Sequence, residues 1–259
     1  ILGEDSLKEY VLDDLKSFGV KVLPIIDKSR PTTNKNVFIA SSYRLLKVDT
    51  LDNRPIAKNL LDKLLFQVSD VDADIVVFSD FRHGIFSKYS INELSTAIPE
   101  RVFKVADSQV ASRWGNITEF KGFDLITPNE REARFALADQ DSTIGQLSAA
   151  IVKEAKPKNL ILKVGSRGIF CGMINPKSQE IRAISIDSFA ENVLDPVGAG
   201  DALLAYSTLS LFKSKSVLVA GILGSMAAAC ECEFDGNNPI KKEDVKKKMF
   251  RVQKIGSYG

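Results

Sequence analysis

The run Asp195-Pro196-Val197-Gly198-Ala199-Gly200-Asp201 opens directly into the apolar segment Ala202 to Phe212, ALLAYSTLSLF. A glycine-rich turn feeding a helix gathers the unpaired N–H groups of the first turn and the positive end of the helix dipole on one closely approachable surface. Such a surface suits a phosphate. Asp201, fixed beside those donors, can accept a proton from an alcohol that attacks phosphorus. The plainer reading is a tight loop at Gly198 and Gly200 with Asp201 capping the helix.

Upstream of this turn, short β-rich runs alternate with segments of helical period. Asp74 to Ser79, Arg101 to Ala106, Asp124 to Thr127 and Asn159 to Val164 read as buried strands, each too short for a helix. Helical patterns lie around them at Ile56 to Val68, Ser87 to Ile98, Pro128 to Ala138 and Thr143 to Ala155. This order predicts an α/β fold, a doubly wound, mostly parallel sheet with helices on both faces. Arg167 to Met173 and Glu180 to Ile186 read as a hairpin through Asn175-Pro176. Downstream, Asp201 to Phe212, Val217 to Cys232 and Glu243 to Val252 are helical. Between Val20 and Val48 the pattern changes to apolar runs around a polar insert, Arg30 to Lys35. Two or three antiparallel strands forming a small β lid fit that stretch.

The 259 residues carry 35 Lys+Arg against 33 Asp+Glu, a net charge of +2. So even a balance gives no field to hold nucleic acid or an anionic membrane. No apolar run approaches the ~18 to 20 residues of a membrane span. Three cysteines, Cys171, Cys230 and Cys232, make neither a disulfide framework nor a zinc site, and a cytoplasmic setting is expected. The opening Ile1-Leu2-Gly3-Glu4-Asp5 has no initiator Met and no signal pattern.

Ligands of open α/β sheets bind beyond the carboxyl ends of the strands. Those ends carry Asp80, Asp107, Asn129 with Glu130 and Glu132, and Lys163 with Gly165. Asn129 and Glu132, three apart on one helical face, are hard oxygen ligands suited to the water shell of Mg²⁺, though acids in a first helical turn are also ordinary capping. Lys163-Val164-Gly165-Ser166-Arg167-Gly168 ends a strand in a turn from which the Lys reaches phosphates; alone it is a hairpin turn. His83, the single histidine, reads as a loop residue.

Taken together and in order, these elements resemble the ribokinase-like (PfkB) family of carbohydrate kinases. Asp195 to Asp201 matches its D-x-x-G-A-G-D loop, Asn129 with Glu132 its N-x-x-E motif, and Gly165 to Gly168 its G-x-x-G turn. The resemblance implies ATP and Mg²⁺, Asp201 as catalytic base, and an anion hole from Gly198, Ala199 and Gly200. It also implies that Asn129 and Glu132 organise Mg²⁺ and that Asp195 belongs to a monovalent-cation loop, K⁺ in many members. Nucleotide would contact Asn129, Lys163, Gly165, Ser166 and Gly168, with adenine between that turn and the helices around Ala227 to Gly236.

Arg30-Pro31-Thr32-Thr33-Asn34-Lys35, Leu45 to Asp49 and Ser79-Asp80-Phe81 resemble the heptose-7-phosphate kinase branch. This implies a sugar or sugar-phosphate acceptor held by Arg30, Lys35 and Asp80. Val197 and Asn36, and Asp107-Ser108-Gln109, depart from the usual residues of that branch. A kinase for another small alcohol, and a nucleotide-binding module without turnover, are the alternatives. Gly3-Glu4-Asp5 resembles the family's G-x-D, which follows its first strands. The expectation is one amino-terminally incomplete kinase domain over residues 1–259, with the lid around 20–48, acting as a homo-oligomer or within a longer multidomain chain.

Overall fold

The computed structural model describes residues 1–41, 43–109, 116–175, 178, 181–236 and 238–256. The chain divides into two compact units, one of residues 1–72 and 80–99, the other of residues 73–79 and 100–259.

The first unit holds helix α1 (Ser6–Ser17), the antiparallel strands β1 (Asn34–Ala40) and β2 (Tyr43–Thr50), and helices α2 (Lys58–Ser69) and α3 (Lys88–Ala97). Asp5 caps α1 by accepting from the Lys8 amide, and Ser87 with Ser90 forms a capping box on α3. Its small core takes Leu60, Leu61, Ile91 and Leu94, whereas α1 buries no residue. The β ribbon is shorter than the stretch 20–48 expected from sequence. Ile26 instead makes an isolated parallel bridge to Leu2, and Pro24 and Pro31, which lack an N–H, interrupt any longer ladder.

The second unit is built on a six-stranded sheet in the order β3-β4-β5-β6-β7-β8. The strands are β3 (Ile75–Asp80), β4 (Phe103–Ser108), β5 (Leu125–Ile126), β6 (Asn159–Lys163), β7 (Ile169–Ile174) and β8 (Ile181–Ile186). β4, β5 and β6 run parallel, and β7 and β8 continue antiparallel. The hairpin expected from sequence is thus present, although Pro176 of its turn and Glu180 lie outside the described residues.

Helices α4 (Glu130–Leu137) and α5 (Ile144–Ala155) lie between β5 and β6, and α6 (Ala199–Ser214), α7 (Val217–Cys232) and α8 (Lys242–Gly256) follow β8. α7 is apolar along most of its length and buries nine of its 16 residues, whereas α6 buries one face through Leu203, Leu204, Ser207, Thr208 and Leu211. The two helices pack so closely that a Cβ on Gly224 would stand 2.0 Å from the Ser207 Oγ. Leu203, Leu204 and Leu211 of α6 join Val105, Leu125, Ile161 and Cys171 of the strands in one core. Phe78, Phe120 and Phe123 form a second apolar group, with edge-to-face rings 5.2 to 5.9 Å apart.

Candidate active site

Asp201 stands in the first turn of α6, exposed to solvent, three residues after the N-cap Gly198. Gly198 has φ of 87°, in the left-handed region that glycine enters without strain. Its carbonyl accepts the Ala202 amide at 2.9 Å, which starts the helix. The Ala199 amide donates to the Pro196 carbonyl at 3.3 Å. Helix geometry therefore leaves the amides of Gly198 and Gly200 at the open end of the helix. A Cβ on Gly200 would meet the Lys163 Nζ at 3.5 Å, so the ammonium lies over the turn.

Lys163 ends β6 and is largely covered, its side chain 15% exposed. Its Nζ donates to the Asp107 Oδ1 at 2.8 Å. Asp107, near the end of β4 and 5% exposed, also accepts from the Thr127 hydroxyl at 2.8 Å. Burial alone would lower the Lys163 pKa, but the carboxylates of Asp107, Glu132 and Asp201 outweigh it and hold the ammonium above its ordinary value.

Asn129 caps α4 in a reciprocal capping box. Its amide donates to Glu132 Oε2 at 2.6 Å, its Nδ2 to Glu132 Oε1 at 2.6 Å, and its Oδ1 accepts the Glu132 amide at 2.8 Å. Cap and site residue are therefore one arrangement. The Lys163 amide donates to the Pro128 carbonyl at 2.9 Å, which ties β6 to this helix start. Burial is the main cause that pushes the Glu132 carboxyl up to about 7; Asp107 adds to it, while Lys163 and the Asn129 amide oppose it.

The turn after β6 is a short 3-10 segment, Gly165–Arg167. Gly168, with φ of 86°, comes so near β8 that a Cβ would lie 2.1 Å from the Ile186 carbonyl oxygen. Arg167 pairs with Glu130, which also accepts from Arg134 at 2.8 Å. A cleft of about 720 Å³ opens beside this turn, lined among others by Asn129, Arg131, Phe135, Lys163 and Gly165.

Asp195 is 3% exposed and its Oδ1 accepts the Val197 amide at 3.1 Å. Its own amide donates to the Cys232 carbonyl at 3.3 Å, bringing it to the last turn of α7. There Glu231, 2% exposed, accepts the Asn238 amide at 3.2 Å through Oε1, while its Oε2 has no hydrogen-bond partner among the described residues. Burial, followed by the charges of Asp195 and Asp201, raises the Glu231 pKa. Sequence reading missed Glu231, whose neighbours in α7 are uniformly small or apolar, and gave Asp107 no role.

In the first unit, Arg30 is largely taken up by its own fold. Its Nε donates to Asp27 Oδ2 at 2.7 Å, and its Nη atoms lie 3.4 Å from the carbonyl oxygens of His83 and Arg54. Lys35 is exposed on β1, with its ammonium 5.5 Å from the centre of the Phe81 ring. Asp80 is 3% exposed and accepts from the Arg82 amide at 2.7 Å and the Arg82 Nη1 at 3.2 Å.

Comparison with known proteins bears on this arrangement. A family model described as pfkB family carbohydrate kinase matches residues 1–242. The bifunctional protein HldE of Wolinella succinogenes is 24% identical over 238 residues, covering 88% of this chain and 48% of that protein. HldE of Helicobacter pylori is 28% identical over 238 residues, covering 88% of this chain and 49% of that protein. The chain thus spans about half the length of the curated relatives it matches. Among solved structures, phosphofructokinase-2 from Escherichia coli in complex with potassium superposes with a TM-score of 0.78 at 17% identity, covering 97% of this chain and 80% of that one. Ribokinase from Giardia lamblia does so with a TM-score of 0.73 at 18% identity, covering 97% and 81%. These two likenesses show the ribokinase-like fold.

Proposed function

Because the chain belongs to the pfkB family of carbohydrate kinases, we propose that it transfers the γ-phosphoryl group of ATP to a hydroxyl of a sugar phosphate, with a heptose-phosphate-like acceptor. The observation that carries the reading is the placement of Asp201, the Gly200 turn and the Lys163 ammonium together at one helix start. One carboxylate base, outward amides and a partly covered cation suit an in-line transfer to an alcohol.

In this account Asp201 accepts the hydroxyl proton as the oxygen attacks phosphorus. The amides of Gly198 and Gly200 and the Lys163 ammonium stabilise charge on the transferring group. Gly165, Ser166 and Gly168 bring backbone close to the nucleotide, and Asn129 fixes the rim of its phosphate end. Mg²⁺, when bound, neutralises phosphate charge. Asn129 and Glu132 fit a role through its water shell and not as direct ligands, since their polar atoms are already spent on each other. Asp195 fits a monovalent cation such as K⁺, and the Glu231 Oε2, buried and without a hydrogen-bond partner among the described residues, is a second candidate oxygen for it. Of the residues proposed for the acceptor, Lys35 is the one available to meet its phosphate, with Asp80 on a sugar hydroxyl; Arg30 acts as a brace for the loop that carries Lys35.

The reaction belongs in the cytoplasm, where ATP is held. Among the described residues no helix is long and apolar enough to cross a membrane. The test is ADP release against a panel of free sugars, sugar phosphates and nucleosides. Highest kcat/KM for a heptose phosphate is expected; preference for a nucleoside or an unphosphorylated sugar would overturn the acceptor assignment.

A further inference from the structure

Between residues 241 and 248 the run Lys-Lys-Glu-Asp-Val-Lys-Lys-Lys holds five lysines. Lys241, Lys242, Lys246 and Lys247 are exposed, as a charge run on a helix ordinarily is. Lys248 is not. Its side chain is 4% exposed, beside Val245 and Met249, which pack with Met226 and Ala227 of α7. A lysine at such a contact normally runs its stem out to water. Here the ammonium ends inside, and its Nζ donates to Glu233 Oε1 at 2.5 Å. Glu233 is the residue that closes the carboxyl end of α7.

Glu233 Oε1 also accepts the Glu191 amide at 3.0 Å, from 42 residues earlier in the chain. Glu191 belongs to the segment between β8 and α6. That segment is held a second time where the Leu194 amide donates to the Cys232 carbonyl at 2.7 Å. From there Asp195 to Gly198 lead directly into the first turn of α6. The Glu191 carboxylate has looser cation contacts, with the Lys248 Nζ at 3.9 Å and with the Arg251 Nη2 at 3.5 Å. Arg251 is 63% exposed, so its pair carries little weight.

We propose that Lys248 is a positioning residue for the phosphate-facing turn. Acting through Glu233, it fixes the 191–195 segment and thereby the placement of the Gly198–Asp201 start of α6. A buried ion pair yields little net stability over apolar packing, because desolvating two ions consumes most of their attraction. Its contribution is direction. One carboxylate oxygen that accepts from an ammonium and from an amide sets where α8, the end of α7 and the segment meet, whereas an apolar contact is non-directional. Without the ammonium, Glu233, already 24% exposed, turns to water and releases the Glu191 amide. Group transfer is sensitive to such a shift, since a misplacement of about 1 Å can cost about a hundredfold in rate. The effect on rate rests on the phosphoryl-transfer reading above; the clamp on the segment does not.

Amide hydrogen exchange, resolved by residue, reads the clamp without turnover, and initial rates on the same preparations read its consequence. Lys248→Met keeps an apolar stem and removes the charge. Its Glu191 and Leu194 amides should exchange about tenfold faster than in the parent, with strand amides unchanged. Its kcat should fall by about tenfold to a hundredfold, with little change in the acceptor KM. Glu233→Ala breaks the same link from its partly exposed end and should behave alike, which keeps the test open where the buried variant folds poorly. The double variant should be no slower than either single one, because both act through one chain of contacts. Lys247→Met and Arg251→Ala, both at exposed positions, should leave exchange and rate as in the parent. Unchanged Glu191 exchange in Lys248→Met and Glu233→Ala would overturn the clamp. Faster exchange with the parent's kcat, or additive losses in the double variant, would overturn the positioning role. A parent that phosphorylates no acceptor would overturn the transfer reading instead, and exchange would still decide the clamp.

Discussion

The Lys163 Nζ lies 2.8 Å from the Asp107 Oδ1, so the ends of β6 and β4, 56 residues apart in sequence, meet in one nearly buried ion pair. The same ammonium is 3.5 Å from where a side chain on Gly200 would begin. The pair therefore supports the sheet end and faces the anion turn at once.

These two duties can be separated. Lys163→Met leaves the Asp107 carboxylate buried without its cation, a loss of about 3 to 5 kcal/mol. Adding Asp107→Asn removes the stranded charge, and the double variant should regain most of that stability. Turnover should stay lost in both variants, because neither has the ammonium over Gly200. Urea denaturation and initial rates on the three proteins check this; recovery of rate in the double variant would show that Lys163 acts only as a strut.

Glu132 gives the stability a pH dependence. Its carboxyl rises from 4.5 to about 7 on folding, so the folded state holds the proton more tightly. The stability this gives is complete below pH 4.5 and is lost as pH rises through about 7, by about 3 kcal/mol in all. Glu132→Gln cannot ionise, and its stability relative to the parent should improve between about pH 5 and about pH 8. The same variant should need more Mg²⁺ for half-maximal rate. Thermal denaturation at both pH values is the check, and a difference that does not change with pH would contradict the burial argument.

Gly224 and Gly145 make a paired test of packing. A methyl group at Gly224 meets the Ser207 Oγ at 2.0 Å and the Leu203 carbonyl oxygen at 3.1 Å, while at Gly145 it meets nothing within 4 Å. Gly224→Ala should destabilise by about 1 to 3 kcal/mol as α6 and α7 are forced apart. Gly145→Ala should stabilise by up to about 1 kcal/mol through helix propensity. Equal effects at both sites, measured by denaturant midpoint, would contradict the close helix contact.

What sequence could reveal follows the range of the interactions involved. The bounds of α7, Val217–Cys232, were readable because the stretch carries no charge before Glu231 and is broken only by Gly221, Gly224 and Ser225. Asn129 and Glu132 were readable because their contact is three residues long. Arg30 was not, since two of its partners, the carbonyl oxygens of Arg54 and His83, lie 24 and 53 residues away. The Asp107 pairing and the burial of Glu231 likewise arise only when distant strands and helices close together. The β ribbon was found, but its start was placed too early because apolar residues before Pro24 look like strand until the missing donor is counted.

The central claim is that Asp201 is the base of a phosphoryl transfer. Asp201 is exposed and in a first helical turn, so Asp201→Asn should fold as the parent does and keep its nucleotide affinity. The measurement is single-turnover phosphoryl transfer to the best acceptor, with calorimetric nucleotide binding on the same preparations. A fall of about 10² to 10⁴ in rate, or ~3 to 5 kcal/mol of barrier, with unchanged binding is the predicted result. Retention of more than about a tenth of the parent rate would contradict it.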